Sequence, residues 1–233
     1  MSFPLLDDQL DDHAKELEGR SPQAVLRWTA ERFRGRLALA CSFGGPTGLV
    51  LLDMLSRIDP SVPVYYLDTG LLFDETKALV ARVAARYGIT PQPVRPALSL
   101  KEQALTFGER LWERDPDACC RLRKVEPQRA FLDRYDAWIA GLRRDQGPTR
   151  EGVRVIERDA QTGLVKLSPL AHWSERDVWR YIAEHDVPAN DLHARGYTSI
   201  GCIPCTLPVS AGEALRAGRW RGTGKLECGL HAS

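Results

Sequence analysis

Leu37-Ala38-Leu39-Ala40-Cys41-Ser42-Phe43-Gly44-Gly45-Pro46-Thr47-Gly48 is an apolar run that breaks into a glycine-bearing turn. A short apolar run bounded by a turn reads as a buried strand. Residues 49–58 then read as a helix, so the stretch predicts strand, turn and helix in succession. Cys41, inside the apolar run, reads as a small core residue. Before it, Ser21-Pro22 is a cap followed by proline at the first helical position, which predicts a helix over 21–33. After it, a second strand is expected over 62–67, ending in Asp68-Thr69-Gly70. A helix over 75–87 follows, capped by Asp74 and closed by Gly88. A third strand candidate covers 89–94, and a polar helical region covers 99–134. Residues 137–142 read as another strand, and 153–157 and 165–170 alternate as strands do. Ser174, with Asp177 three positions on, starts a helix that reaches 184. Strands alternating with helices predict an α/β fold with a mostly parallel sheet flanked by helices. The expected division is a globular nucleotide-binding core over 1–187 and an irregular functional tail over 188–233, rich in Gly, Pro, Cys and Arg.

The bulk composition narrows the function class. The 233 residues are 43% hydrophobic and 27% charged, which excludes a disordered chain and permits a sizeable core. A formal net charge of +1 offers no bulk attraction to nucleic acid or to a membrane surface. No apolar run approaches the ~20 residues that span a bilayer. Residues 1–12 are acidic and lack the basic and apolar regions of a secretory signal, so a cytoplasmic setting is expected. Thiols stay reduced there, and clustered cysteines then point to metal or catalysis.

The six cysteines are unevenly spread. Cys119 and Cys120 are adjacent, Cys202 and Cys205 form a C-x-x-C, and Cys228 lies near the end. Four converging thiolates suit zinc or an iron–sulfur cluster. Adjacent side chains stand about 100° apart on a helix, so both reach one ion only with strain. A cluster offers each thiolate its own iron. The flanking Arg121, Arg123 and Lys124 argue against burial of this pair in an apolar core.

The turn at Ser42 to Gly45 lets backbone N–H groups approach an anion at a helix start. It lacks the Gly-Lys-Ser/Thr of a Walker A loop. Arg143, Arg150, Arg216 and Arg219 recur near the other signals, and arginine forks match phosphate and sulfate oxygens. Lys124 stands four residues past Cys120, able to place a cation between cluster and anion. Gly222, Gly224 and Gly229 predict a mobile tail around Cys228. A mobile, accessible thiol in a basic setting has the profile of a nucleophile, with His231 as a proton partner.

Taken together, these residues resemble the assimilatory sulfonucleotide reductases, specifically the thioredoxin-dependent adenylyl-sulfate (APS) reductases that carry a [4Fe-4S] cluster. The resemblance rests on Leu67-Asp68-Thr69-Gly70-Leu71-Leu72-Phe73, Cys119-Cys120-Arg121-Leu122-Arg123-Lys124, Gly141-Leu142-Arg143-Arg144-Asp145-Gln146, Ser199-Ile200-Gly201-Cys202-Ile203-Pro204-Cys205, Arg216-Ala217-Gly218-Arg219-Trp220 and Glu227-Cys228-Gly229-Leu230-His231. It implies the adenine nucleotide α-hydrolase-like (PP-loop) sheet. It implies that Ser42, Phe43, Gly44 and Gly45, with Leu67, Asp68, Thr69, Gly70 and Phe73, hold the nucleotide. It implies that Lys124, Arg143, Arg150, Arg216 and Arg219 hold the phosphosulfate, and that Cys119, Cys120, Cys202 and Cys205 hold the cluster. Cys228 would attack the sulfur of APS, release AMP and carry an S-sulfocysteine, which reduced thioredoxin or a glutaredoxin-like donor resolves to sulfite in sulfate assimilation and cysteine biosynthesis. No electron transfer through the cluster is expected, because the thioredoxin dithiol supplies both electrons.

Two departures stand out. Pro46-Thr47 replaces the acidic pair usual after the loop glycine, and the tail between Trp220 and Glu227 is Gly-rich rather than aromatic and acidic. The first counts against a related ATP pyrophosphatase, which needs an aspartate there for magnesium. The alternatives are a reductase that uses PAPS or both nucleotides, and a non-catalytic four-cysteine zinc or cluster module. Oligomeric state is left open, a homo-oligomer included.

Overall fold

The computed structural model of the protein describes residues 7–231. Of the acidic segment 1–12, residues 1–6 lie outside the described residues. The rest of it belongs to a helix Asp7–Leu17 that the sequence reading did not include.

The described strands form one six-stranded sheet. They are β1 (Leu37–Ala40), β2 (Val64–Leu67), β3 (Gln92–Val94), β4 (Ala137–Ile139), β5 (Ile156–Arg158) and β6 (Val165–Leu167). Their order is β3-β2-β1-β4-β6-β5, all parallel except the antiparallel edge pair β5 and β6. β1, β4 and β6 end earlier than expected, β2 and β3 start later, and β5 is shifted to 156–158. The chain turns as soon as the ladder reaches the residues that line the site, so 41–43 and 140–142 leave the sheet. Alternation puts Leu37 and Leu39 of β1, and Ala137 and Ile139 of β4, into one core. Ala38, Tyr65 and Trp138 face a second, smaller core on the other side.

The helix signals behave as their chemistry dictates. Ser21 caps Pro22–Arg32 by accepting from the Ala24 N–H. Ser174 and Asp177 form a reciprocal capping box at Glu175–His185. Gly88 ends Asp74–Tyr87 in the left-handed conformation, φ 62°, which costs glycine nothing. Asp74 was expected as the cap there, but it is the first helical residue and Phe73 holds the cap position.

The polar region 99–134 is several helices rather than one. Leu100–Phe107, Leu111–Arg114 and Pro116–Cys120 are broken at Gly108 and Asp115. Proline at the first turn of Pro116–Cys120 restarts the helix, with Asp115 as its cap. A π-helical turn, Arg121–Val125, then joins it to Glu126–Leu132. Such turns are frequent at functional sites.

Asp53 ties the helices of one face together. Its buried carboxylate accepts from Tyr87 Oη at 2.9 Å, Tyr181 Oη at 2.8 Å and Arg57 Nη2 at 3.0 Å. Asp53→Ala strands the buried phenol of Tyr181 and the half-buried one of Tyr87. The expected loss is about 2–4 kcal/mol, read as a lower urea midpoint with unchanged slope.

Candidate functional site

The order of the sheet locates the site. Connections from β1 run outward to β2 and β3, whereas β4 lies on the other side of β1, so the chain changes direction between β1 and β4. In open α/β sheets, ligands bind beyond the carboxyl ends of the strands at this point. A cavity of about 240 Å³ lies there. Its wall includes Ser42, Gly44 and Gly45 after β1, Leu67 and Thr69 after β2, and Gly141 to Arg143 after β4. Gly44 must be glycine, because a Cβ would stand 2.7 Å from the Ile200 carbonyl oxygen.

Not every predicted nucleotide residue reaches this wall. Phe43 is fully buried, packs edge-on against Tyr66 and offers its carbonyl to Asn190 Nδ2 at 3.0 Å. Asp68 turns to Arg95, and its Oδ1 accepts from the Gly70 N–H. Gly70 supplies the left-handed turn, φ 72°, and Phe73 packs on Tyr197. These four shape the loops behind the cavity. Arg123 braces the turn, donating from Nε to the Thr69 carbonyl at 2.6 Å and from Nη1 to Gln103 at 3.0 Å.

The cationic residues converge as predicted. Lys124, Arg143, Arg150, Arg216 and Arg219 all line the cavity. Their bonding differs. Arg143 is buried, paired with Asp145 at 2.9 Å and hydrogen-bonded to the Thr47 hydroxyl. Thr47 therefore has its own role where an acidic residue was expected: it anchors this guanidinium. Arg219 lies over the Trp220 ring, 4.3 Å from its centroid, and donates from Nη1 to Ser199. Lys124 is buried and has no carboxylate partner among the described residues. Burial opposes its charge, but the facing thiols of Cys202, Cys228 and Cys120 outweigh that and hold its pKa above the ordinary lysine value.

Cys228 also lines the cavity, and it acts electrostatically on both Lys124 and Cys120. The tail that carries it is docked. Gly229 lies against Val125 of the π-helical turn, and Lys225 pairs with Asp117 and sits 5.7 Å from the Trp220 ring centroid. Glu227 is the tail's anchor. Its Oε1 accepts from Arg150 Nε at 2.8 Å and Thr149 Oγ1 at 3.0 Å, and its Oε2 from Arg150 Nη2 and Arg216 Nη2, each at 3.0 Å. Burial works against the Glu227 charge, but Arg150 and Arg216 prevail and bring its pKa down to about 2. The carboxylate is thus ionised at neutral pH, and its stabilising contribution is lost only as pH falls through that value.

His231 is stacked on Trp138 at 5.7 Å. Burial, reinforced by the Arg150 and Lys166 charges, brings its pKa down to about 3. It is a neutral imidazole at physiological pH, with a buried Nδ1 that has no hydrogen-bond partner among the described residues. In this form the ring nitrogens offer one donor and one acceptor to the cavity that His231 lines.

The cluster cysteines meet from two distant parts of the chain. Cys119, Cys120 and Cys202 are buried and Cys205 is half-buried. The charged neighbours argued against an apolar core around this pair, and Arg123 and Lys124 are buried with it, so its surroundings are polar. Thr69 Oγ1 lies 3.3 Å from Cys202 Sγ. Burial, together with the other cysteines of the group, raises the Cys119 and Cys205 pKa values to about 11. Thiols held together in this way gain from an iron–sulfur group that takes the thiolate charge. Among the described residues no three Cys, His, Asp or Glu side chains are close enough to share a single metal ion. Four thiols brought together from two segments are a donor set of the kind that an iron–sulfur group takes.

A family model described as the phosphoadenosine phosphosulfate reductase domain matches residues 36–208, from β1 through the C-x-x-C. The chain belongs to this family. Its fold is of the adenine nucleotide α-hydrolase-like type, as the sequence led us to expect. The chain is 47% identical over 216 residues to the adenosine 5'-phosphosulfate reductase of Halalkalibacterium halodurans, covering 92% of this chain and 93% of that one. It is 46% identical over 226 residues to the phosphoadenosine 5'-phosphosulfate reductase of Gloeobacter violaceus, covering 96% and 93%. A crystal structure of phosphoadenylyl-sulfate (PAPS) reductase from Candida auris, a phosphate complex, superposes with a TM-score of 0.77 at 37% identity, covering 89% of this chain and 100% of that one. An FMN adenylyltransferase of Candida glabrata shares the fold alone, with a TM-score of 0.61 at 18% identity over 88% of this chain and 68% of that one. No described helix is long and apolar enough to cross a membrane.

Sequence reasoning missed three contributors. Gln146 accepts from the Arg143 N–H and from Arg150 Nη1. Trp220 underlies Arg216, Arg219 and Lys225. Glu227 was visible within its motif, but a carboxylate beside a cysteine gives no local sign of which cations it will meet.

Proposed function

We propose that the protein reduces adenosine 5'-phosphosulfate to sulfite and AMP. The observation that carries this reading is a single cavity in which Cys228 shares a wall with Lys124, Arg219 and the loop after β1. The nucleotide lies along Ser42, Gly44, Gly45, Leu67 and Thr69, with Phe43, Asp68, Gly70 and Phe73 shaping those loops. Lys124, Arg143, Arg216 and Arg219 face its phosphosulfate.

The Cys228 thiolate attacks the sulfur of that group. A sulfur–sulfur bond forms, the sulfur–oxygen bond to the AMP phosphate breaks, and AMP leaves with the electron pair. Lys124 and the arginines stabilise the charge that builds on the departing oxygen. A dithiol of the thioredoxin or glutaredoxin type then attacks Cys228 Sγ and displaces sulfite. Its second thiol resolves the mixed disulfide and restores Cys228. The dithiol is oxidised and the sulfonyl sulfur reduced by the same two electrons.

Cys119, Cys120, Cys202 and Cys205 hold a [4Fe-4S] cluster in this reading. When bound, the cluster adds a charged iron–sulfur surface beside Lys124. Residues 188–233 act as the segment that completes the site on a core spanning 1–187.

Sulfite release from APS and from PAPS, measured in parallel with thioredoxin on anaerobically purified protein, tests the reading. APS is expected to turn over, with iron and acid-labile sulfide present in near-equal amounts. Bound zinc without sulfide removes the cluster. Turnover of PAPS alone favours the second reading, which the name of the Gloeobacter violaceus relative supports.

A further inference from the structure

Arginines that face an anion site in an enzyme usually leave their forks open to the ligand. Arg150 does not. Its Nε and Nη2 are both bonded to Glu227, and its Nη1 donates to Gln146 at 2.5 Å. Every nitrogen of this guanidinium is thus engaged within the protein. Arg216 is divided: Nη2 serves the tail, donating to Glu227 Oε2 and to the Leu226 carbonyl, each at 3.0 Å. Its Nε and Nη1 donate to no acceptor among the described residues. Glu227 immediately precedes Cys228, and Gly229 just beyond packs so close to Val125, of the turn that carries Lys124, that a Cβ there would stand 3.5 Å from its Cγ2. The two contacts bracket the thiol.

We propose that Glu227 is a positioning residue for the reaction: it clamps Arg150, Thr149 and Arg216, and thereby seats Cys228 against Lys124. Arg150 then serves the tail and not the phosphosulfate, while Arg216 joins the tail to the anion. Bidentate Arg–carboxylate pairing gives the clamp geometric definition as well as strength. Fixing a nucleophile within reach of its target is worth orders of magnitude in rate, and a misplacement of about 1 Å costs on the order of 100-fold. The clamp is also reversible, as a tail that must meet a second thiol requires.

The inference rests on Cys228 as the nucleophile, and the test keeps the two apart. Glu227→Gln removes the charge and one fork partner but keeps the shape. Three measurements are made on cluster-loaded protein: alkylation of Cys228 by iodoacetamide without nucleotide, single-turnover formation of the S-sulfonated protein by mass spectrometry, and AMP affinity. E227Q is expected to be alkylated at Cys228 about 10-fold faster and S-sulfonated about 10- to 100-fold more slowly, with AMP affinity within about twofold of the wild type. Unimpaired AMP binding shows that the core is folded. Glu227→Asp is expected to recover part of the S-sulfonation rate. Unchanged alkylation and S-sulfonation rates in E227Q overturn the clamp. So does tighter AMP binding with an undiminished S-sulfonation rate, which would make the carboxylate a competitor for the anion site. If the wild type itself forms no adduct, the reading of Cys228 has failed; if wild type and E227Q form it equally fast, only the clamp has.

Discussion

Cys228→Ser is expected to reduce sulfite production to the background level while leaving AMP affinity within about twofold of wild type. A serine hydroxyl stays protonated at neutral pH and is a far weaker nucleophile than a thiolate. Loss of the nucleophile in a covalent mechanism costs on the order of 10⁶ in kcat, because no other group can form the intermediate. The binding wall, in contrast, comes from the loops after β1, β2 and β4 and does not depend on the Cys228 sulfur. Mass spectrometry after mixing with APS should show the +SO₃ adduct on wild type and none on the variant. Turnover by C228S at the wild-type rate would remove the mechanism, and turnover without an adduct on the wild type would move the nucleophile elsewhere.

Lys124→Ala carries the second large effect. Lys124 is buried, has no carboxylate partner among the described residues, and interacts electrostatically with Cys202, Cys228 and Cys120. Removing one preorganised charge beside a developing anion costs about 10²–10³ in kcat. The expected signature is a fall in kcat and kcat/KM together, with unfolding midpoint little changed. Lys124→Arg is expected to recover little, since a planar fork does not replace a compact ammonium in a buried space shaped around it. Normal kinetics in K124A would show that the ammonium only balances the thiols. Iron content read on the same preparations separates loss of the cluster from loss of the charge.

Much of this site was legible before any coordinates. Adjacent cysteines beside basic residues are unusual, and together with a C-x-x-C and the Glu-Cys-Gly-Leu-His segment they point to chemistry. The arginines of the cavity were found because arginine recurs at each of these motifs. Other features escaped for physical reasons. The segment 99–134 has helical composition throughout, and only the break at Asp115 and the π-helical turn at Arg121–Val125 show how it bends to bring two cysteines and a lysine to one point. Phe43, Asp68, Gly70 and Phe73 sit in the right motifs, yet a loop has two sides, and these four lie behind the wall that Ser42, Gly44, Leu67 and Thr69 present.

Local signals along the chain are enough to specify the parallel sheet, the capped helices, the buried Cys41 and the kinds of groups at the site. These depend on periodicity, caps and side-chain chemistry, which act over a few residues. The assignment of partners is a different matter. Arg143 with Thr47, Arg150 with Glu227, and Lys124 with thiols from two remote segments depend on where the switch between β1 and β4 brings the loops together. A guanidinium has the same donors wherever it stands, and only packing settles which acceptor lies within about 3 Å of it.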